Sequence, residues 1–299
     1  MPGWPPWETD GLARIKTAYL HGGARSRLRL RRQRLTGRRM VSPARTTPRV
    51  DYDAIAPLYD AQPHREKAAD PELIAVLSGR IAAEPLSVLD IGCGTGNQLV
   101  ANRTIAAPAR LVGIDRSLGM LRQARPKAAD IAWVQADAAD LPFRERSFDF
   151  VSCQFALHHI SDKSGMLREA FRVLRGGGRL VVRNLCPQEC PDWLYYQYFP
   201  EALATDLDDF WPPDAMVAAT KAAGFASVAI ERQHLRFEQD LRSWLATVQR
   251  RDTCSQLLAI SDAAYATGIE RLEREMENAG GPVMRADHLC LITLHGDKT

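Results

Sequence analysis

Val88-Leu-Asp-Ile-Gly-Cys-Gly-Thr-Gly-Asn97 is the stretch whose reading decides the fold. A short apolar run, Ser87-Val-Leu-Asp90, enters a glycine-rich turn, and a helical pattern follows it. A turn that is both sharp and close to a ligand needs positions without a Cβ. The spacing here is Gly-x-Gly-x-Gly, at Gly92, Gly94 and Gly96. Asn97 stands where the Gly-x-Gly-x-x-Gly dinucleotide fingerprint has its third glycine. Asp90, at the end of the apolar run, would repel a pyrophosphate. A carboxylate there suits a ligand that carries an ammonium and a sulfonium group.

Working outward, strands and helices alternate. A helical stretch over residues 68–83 precedes the glycine turn. Beyond it come Arg110-Leu-Val-Gly-Ile-Asp115, a helix over 118–124, Ala132-Trp-Val-Gln-Ala136 and Phe148-Asp-Phe-Val-Ser152. A helix over 163–174 and Arg179-Leu-Val-Val-Arg183 complete the series. Short apolar strands alternating with helices predict an α/β fold, a parallel sheet covered on both faces. Further on, the pattern predicts a helix at 214–223, a strand at 227–237, helices within 240–278 broken near Ser261-Asp262, and a last strand at 288–294.

Asp115 ends the second strand, 25 residues after Asp90, where a carboxylate can accept the two hydroxyls of a ribose. Asp137 follows the third strand and can accept the exocyclic amine of adenine. Either residue alone could equally cap a helix or a turn. Three carboxylates at three consecutive strand ends point together to a ligand site, because open α/β sheets bind ligands there.

With these residues the sequence resembles the class I S-adenosylmethionine (SAM)-dependent methyltransferases, in the broad group that includes ubiquinone and menaquinone C-methyltransferases. The resemblance spans about residues 52–182. Tyr52-Asp-Ala-Ile-Ala-Pro-Leu-Tyr-Asp60 resembles the group's opening motif, and Asp90 to Gly96 its first glycine motif. Gly113-Ile-Asp115, Gln135 to Phe143, Phe148 to Ile160 and Leu174-Arg-Gly-Gly-Gly178 match the motifs that follow. Gly176 departs from the family, which usually has Pro there. The resemblance implies a Rossmann-like sheet of seven strands, the last antiparallel, with helices on both faces. It implies S-adenosyl-L-methionine as cofactor, and contacts to it from Tyr59, Asp90, Gly92, Cys93, Gly94, Gly96, Asp115, Arg116, Met120, Asp137, Ala138, Gln154 and Phe155. His64 and Arg65 are further candidates for its carboxylate.

Methyl transfer from a sulfonium is an in-line displacement, so alignment and exclusion of water do much of the work. A base is needed only for an acceptor that holds its proton near pH 7. His158 and His159, after the fourth strand, are the candidates for that catalytic role; a histidine pair there can also simply order the loop. Trp193, Tyr195, Tyr196, Tyr198, Phe199, Phe210 and Trp211 crowd the insert after the fifth strand. They can form an acceptor pocket or pack the insert onto the sheet. Asn184-Leu-Cys-Pro187 follows the wrong strand, with the wrong residues, for an amino-group DNA methyltransferase motif.

Composition limits the remaining classes. Residues 1–50 carry a local charge of +10, and residues 51–299 carry −7. The first fifty residues read as a basic, disordered tail, and Met40 is a possible true start. The methyltransferase domain is expected at 51–299, with cap insertions at about 187–213 and 240–278. An acidic body argues against nucleic acid as partner and favours a small-molecule methyl acceptor. An RNA or protein methyltransferase, or a SAM-binding regulator without turnover, are the alternatives. No apolar run is long enough to span a membrane. Six scattered cysteines suit a reducing cytoplasm. Cys186 and Cys190 form the one close pair; two thiols alone fall short of a closed zinc site, and no metal is expected.

Overall fold

The computed structural model describes residues 50–61, 65–78, 85–106, 109–279 and 281–299. The basic tail, the proposed start at Met40, His64 and residues 79–83 of the first expected helix lie outside the described residues.

Seven strands form one sheet in the order β3-β2-β1-β4-β5-β7-β6. They are β1 (Leu86–Ile91), β2 (Ala109–Asp115), β3 (Ala132–Gln135), β4 (Phe148–Gln154), β5 (Leu174–Leu185), β6 (Ser227–Asp240) and β7 (Met284–Asp297). The pairs among β1 to β5 are parallel, whereas β7 runs antiparallel to both β5 and β6. This is the expected class, with six strands in one direction and the last reversed. Every residue of β1 is buried. Leu89 and Ile91 enter one apolar cluster, and Leu86 and Val88 enter another. That alternation is the signature of a sheet covered on both faces.

Short helices link the strands: α1 (Tyr52–Tyr59), α2 (Pro71–Ser78), α3 (Asn97–Arg103), α4 (Leu118–Ala124) and α5 (Lys163–Val173). Their starts are fixed by local chemistry. Ser117 Oγ accepts the Met120 N–H at 3.0 Å, and Asp162 accepts the Gly165 N–H at 2.7 Å. Such caps satisfy donors that the first turn leaves unpaired.

The strands of the C-terminal half run longer than the sequence pattern suggested. Arg179 to Arg183 is the centre of a twelve-residue strand, and residues 288–294 lie inside a fourteen-residue one. β6 and β7 pair along their whole length, from Ser227↔Asp297 to Asp240↔Met284. After β5 come α6 (Leu194–Tyr198), α7 (Pro200–Asp209) and α8 (Pro213–Ala222); after β6 come α9 (Leu241–Val248), α10 (Ser255–Leu258) and α11 (Asp262–Glu277). The two groups meet through rings. Tyr195 and Tyr198 pack on Trp244 of α9, and Phe199 stacks on Tyr265 of α11. No helix among the described residues is long and apolar enough to cross a membrane.

Candidate active site

The strand order reverses beside β1, which lies between β2 and β4. A ligand crevice is expected at the carboxyl ends of the strands flanking such a switch point. A cavity of about 940 Å³ opens there. It is lined by Asp90 of β1, Asp115 of β2, Asp137 after β3 and Gln154 of β4. Gly92, Cys93, Gly94, Arg116, Met120, Ala138, Phe155, Tyr59, His158 and His159 also line it. Residues expected from sequence to share a site therefore do so, with one exception. Gly96 does not line the cavity; a Cβ on it would overlap the ring of Trp133. It sits behind the loop, starting α3 from a left-handed conformation.

The glycine turn is held by the neighbouring carboxylate. Asp115 Oδ2 accepts the Gly94 N–H at 2.8 Å, and its Oδ1 accepts the Ser117 N–H at 2.8 Å. The cap reading of Asp115 is thus realised, and the same side chain faces the cavity. A Cβ on Gly92 would overlap that of Ala156, which locks the turn against the end of β4. A Cβ on Gly94 would meet nothing. The loop thus presents bare backbone to a ligand that approaches it closely.

Asp90 is the electrostatic centre. It is 3% exposed, and Ser152 Oγ donates to it at 2.7 Å. Burial pushes its carboxyl up to about 7. Burial likewise raises the Asp115 carboxyl, against the pull of its backbone donors. A cation bound in the crevice would favour the ionised form of both groups. Asp137 is exposed; its Oδ1 accepts the Ala139 N–H at 2.8 Å, so it also holds its turn.

Beside these lies a buried network that the sequence reading missed. Arg183 of β5 donates to Asp70 Oδ1 at 2.9 Å, and Gln154 Nε2 donates to Asp70 Oδ2 at 2.6 Å. The side chains of Arg183 and Asp70 are 4% and 0% exposed, and both line the cavity. A charged residue ending an otherwise apolar strand was the available signal for Arg183. Asp70 gave none, because its partner lies 113 positions away. Phe155, just beyond Gln154, has φ +53°, a costly conformation for a bulky side chain. Its N–H is anchored to the Arg183 carbonyl at 2.8 Å.

The histidines sit at the inner wall. His158 Nδ1 lies 3.1 Å from Asn184 Oδ1, and its ring stacks on Phe210 with centroids 4.0 Å apart. Tyr52 OH lies 2.6 Å from His159 Nε2. Burial pushes both imidazoles well down, His159 to about 3, so both are neutral at pH 7. Arg65 stacks over the Tyr59 ring, 3.8 Å from its centroid, and lines the cavity. The aromatic insert divides between its two readings. Trp193 and Phe210 reach the cavity with Leu185, Leu258, Leu289 and Leu291, while Tyr195, Tyr196, Tyr198 and Phe199 are packed inside the cap.

Comparison with known proteins identifies the family. Residues 89–182 match the family model described as a methyltransferase domain. The chain is 30% identical over 169 residues to a demethylmenaquinone methyltransferase of Thermotoga maritima, covering 48% of this chain and 72% of that one. It is 32% identical to one of Roseiflexus castenholzii, covering 47% and 68%. The chain belongs to the class I SAM-dependent methyltransferases. A solved structure described as a putative methyltransferase from an antibiotic biosynthesis pathway of Anabaena variabilis superposes with TM-score 0.59 at 19% identity. It covers 74% of this chain and 95% of its own, which speaks for the fold. The methyltransferase transfers the methyl group of S-adenosyl-L-methionine, and its crevice fits that cofactor. The Asp90 and Asp115 carboxyls face the cavity, and bare backbone lies at Gly94.

Proposed function

We propose that this methyltransferase acts on a small, flat, largely apolar acceptor of the phenol or quinol kind. The observation that carries the reading is the wall of Trp193, Phe210, Leu185, Leu258, Leu289 and Leu291, which continues the crevice beyond the carboxylates. No acidic or basic side chain is among these six, so the wall favours rings over charged acceptors. The names of the Thermotoga and Roseiflexus relatives support a quinone-like acceptor, as does the acidic body of the chain.

In this reading residues 51–299 are one methyltransferase unit, with its cap at 187–213 and 240–278. Asp115 accepts the ribose hydroxyls, Asp137 the adenine amine, and Asp90 faces the cationic methionine end. Met120 and Ala138 pack on the adenine. Tyr59, Cys93, Arg116, Gln154 and Phe155 complete the surround. S-adenosylmethionine supplies an activated methyl group, so the chain's own task is alignment and exclusion of water. His158 and His159 were expected as proton acceptors. Held neutral with strongly lowered basicity, they fit better as hydrogen-bonding groups that orient an acceptor hydroxyl. A quinol or phenol hydroxyl holds its proton near pH 7, so the acceptor loses it through a hydrogen bond to these rings as the methyl group transfers, or to water. Reduced thiols at all six cysteines fit a reducing compartment.

The test is methyl transfer from radiolabelled SAM to a panel of quinols, phenols, alkylamines, RNA and unfolded polypeptide. Label on the quinols and phenols is expected. Transfer to RNA or polypeptide alone would overturn the acceptor class, and SAM binding without transfer to any of them would favour a regulator.

A further inference from the structure

On the face of β7 opposite the cavity, the strand alternation collects a second set of chemical groups. Leu289 and Leu291 point to the cavity, so Cys290 between them points away. Its cross-strand partner on β6 is His234. The turn Pro187–Glu189, just after β5, brings Glu189 over the pair. Cys290 Sγ lies 3.9 Å from Glu189 Oε2 and 4.0 Å from His234 Nε2, and those two atoms are 3.6 Å apart. The centre of that triangle is about 2.2 Å from each atom, within the range of zinc–sulfur, zinc–nitrogen and zinc–oxygen bonds.

The surrounding hydrogen bonds orient all three groups toward that centre. Asp192 Oδ1 lies 2.7 Å from His288 Nδ1, which places a proton on that nitrogen. His288 Nε2 is then the acceptor for His234 Nδ1–H at 3.0 Å. The chain leaves the Nε2 lone pair of His234 facing the Glu189 carboxylate. Two lone pairs so placed repel unless a proton on Nε2 or a metal ion lies between them. Glu189 is fixed from behind, because Arg232 Nε donates to its other oxygen at 2.7 Å. Cys290 is buried beside Cys186, to which its thiol donates. A carboxylate–histidine relay behind one ligand and an arginine behind another are the usual supports of a metal site.

We propose that Cys290, His234 and Glu189 bind one divalent transition metal ion of the zinc type. The thiol excludes magnesium and calcium as preferred occupants. On binding, the Cys290 S–H proton goes to solvent and the sulfur bonds the metal as thiolate. Thiolate and carboxylate then balance the 2+ charge. Water completes the coordination, since the His234 and Glu189 side chains are 41% and 29% exposed. The ion clamps the β6–β7 ribbon to the turn that leads into Trp193 of the acceptor wall, so its role is to brace the cap rather than to transfer methyl groups.

The experiment is cobalt(II) titration of the full chain, stripped with chelator and kept under a phosphine reductant. One cobalt per chain is expected, with tetrahedral visible bands and a near-ultraviolet thiolate-to-cobalt band, both displaced by zinc. Zinc should also raise the melting temperature. Cys290→Ser should abolish the thiolate band. Because Cys290 is buried and that variant can misfold, His234→Gln on the exposed side is the second probe, with an expected affinity loss of about tenfold or more. His288→Ala should weaken binding without removing the thiolate band. A wild-type chain that binds no more cobalt than His234→Gln, or binds it without a thiolate band, overturns the site.

Discussion

The two halves of the crevice are built in different ways. The cofactor half is built on consecutive strand–turn units: the Gly94 N–H meets Asp115 only 21 positions on, and each carboxylate lies at or just beyond the end of its own strand. The acceptor half draws Trp193, Phe210, Leu258 and Leu291 from a hundred residues of chain. Local backbone rules determine the first half, and packing between distant elements determines the second. The cofactor half should therefore respond sharply to single changes, while the acceptor wall should trade one ring or aliphatic group for another.

The hardest test of that contrast is at the seam, where Asp70 joins Arg183 and Gln154. Asp70→Ala leaves the Arg183 guanidinium buried, with Glu72 as a more distant acidic neighbour at 3.7 Å. We expect a loss of about 3–5 kcal/mol in unfolding free energy, read by denaturant titration. A loss below 1 kcal/mol would mean that the network is not what holds α2 to β5.

Next in size is Asp115→Ala. It removes the acceptor of the Gly94 and Ser117 N–H groups, and a charge-assisted site for the ribose. SAM affinity measured by calorimetry should fall about tenfold or more, roughly 1.4 kcal/mol. Phe210→Leu, in the other half, should leave SAM affinity unchanged and raise the acceptor KM. Equal effects of both substitutions on SAM would erase the distinction between the halves.

Asp90 sharpens it further, through pH. Its carboxyl is raised by burial from an ordinary 3.8 to about 7, so the folded chain binds that proton more tightly than the unfolded one. Without ligand, this group's contribution to stability is fully present below about pH 3.8 and is lost as pH rises through about 7. A cationic ligand reverses the preference, since it favours the carboxylate. SAM affinity should rise from pH 6 to pH 8, by at most tenfold per unit, with release of up to one proton in buffers of different ionisation enthalpy. Asp90→Asn should flatten both trends. A flat profile in the wild type would remove Asp90 from contact with the cationic end.

The same contrast explains what the sequence revealed. Strand β1, its glycine turn and the three strand-end carboxylates were legible because each is announced by its own neighbours. Gly96 lies behind the loop, because spacing marks a loop but not which way each of its glycines faces; Trp133, 37 residues on, decides that. Arg183 gave a signal as the charged end of an apolar strand, but its pairing with Asp70, and the grouping of Glu189, His234 and Cys290 on the outer face, were invisible because no periodicity links them. The aromatic insert gave two readings because rings in a cap and rings in a pocket obey the same composition. Only the packing of Tyr195 and Tyr198 on Trp244 separates them from Trp193 and Phe210.

The smallest expected effect concerns the departure at Gly176. The family's usual proline would stiffen the first residues of β5, and glycine leaves them loose. Gly176 has no neighbour within 4 Å of a would-be Cβ, and its φ is not positive, whereas the adjacent Gly177 has φ +77°. Gly176→Ala should then stabilise the fold by about 0.4–1 kcal/mol, chiefly by restricting the unfolded chain. Gly177→Ala should destabilise it, because an alanine pays about 1 kcal/mol or more in the left-handed region. SAM affinity should be untouched by either change, since neither residue lines the cavity. Thermal unfolding of the pair, side by side, checks the sign. If both substitutions destabilise, the turn is constrained by something other than backbone conformation, and the glycine at 176 is there by necessity.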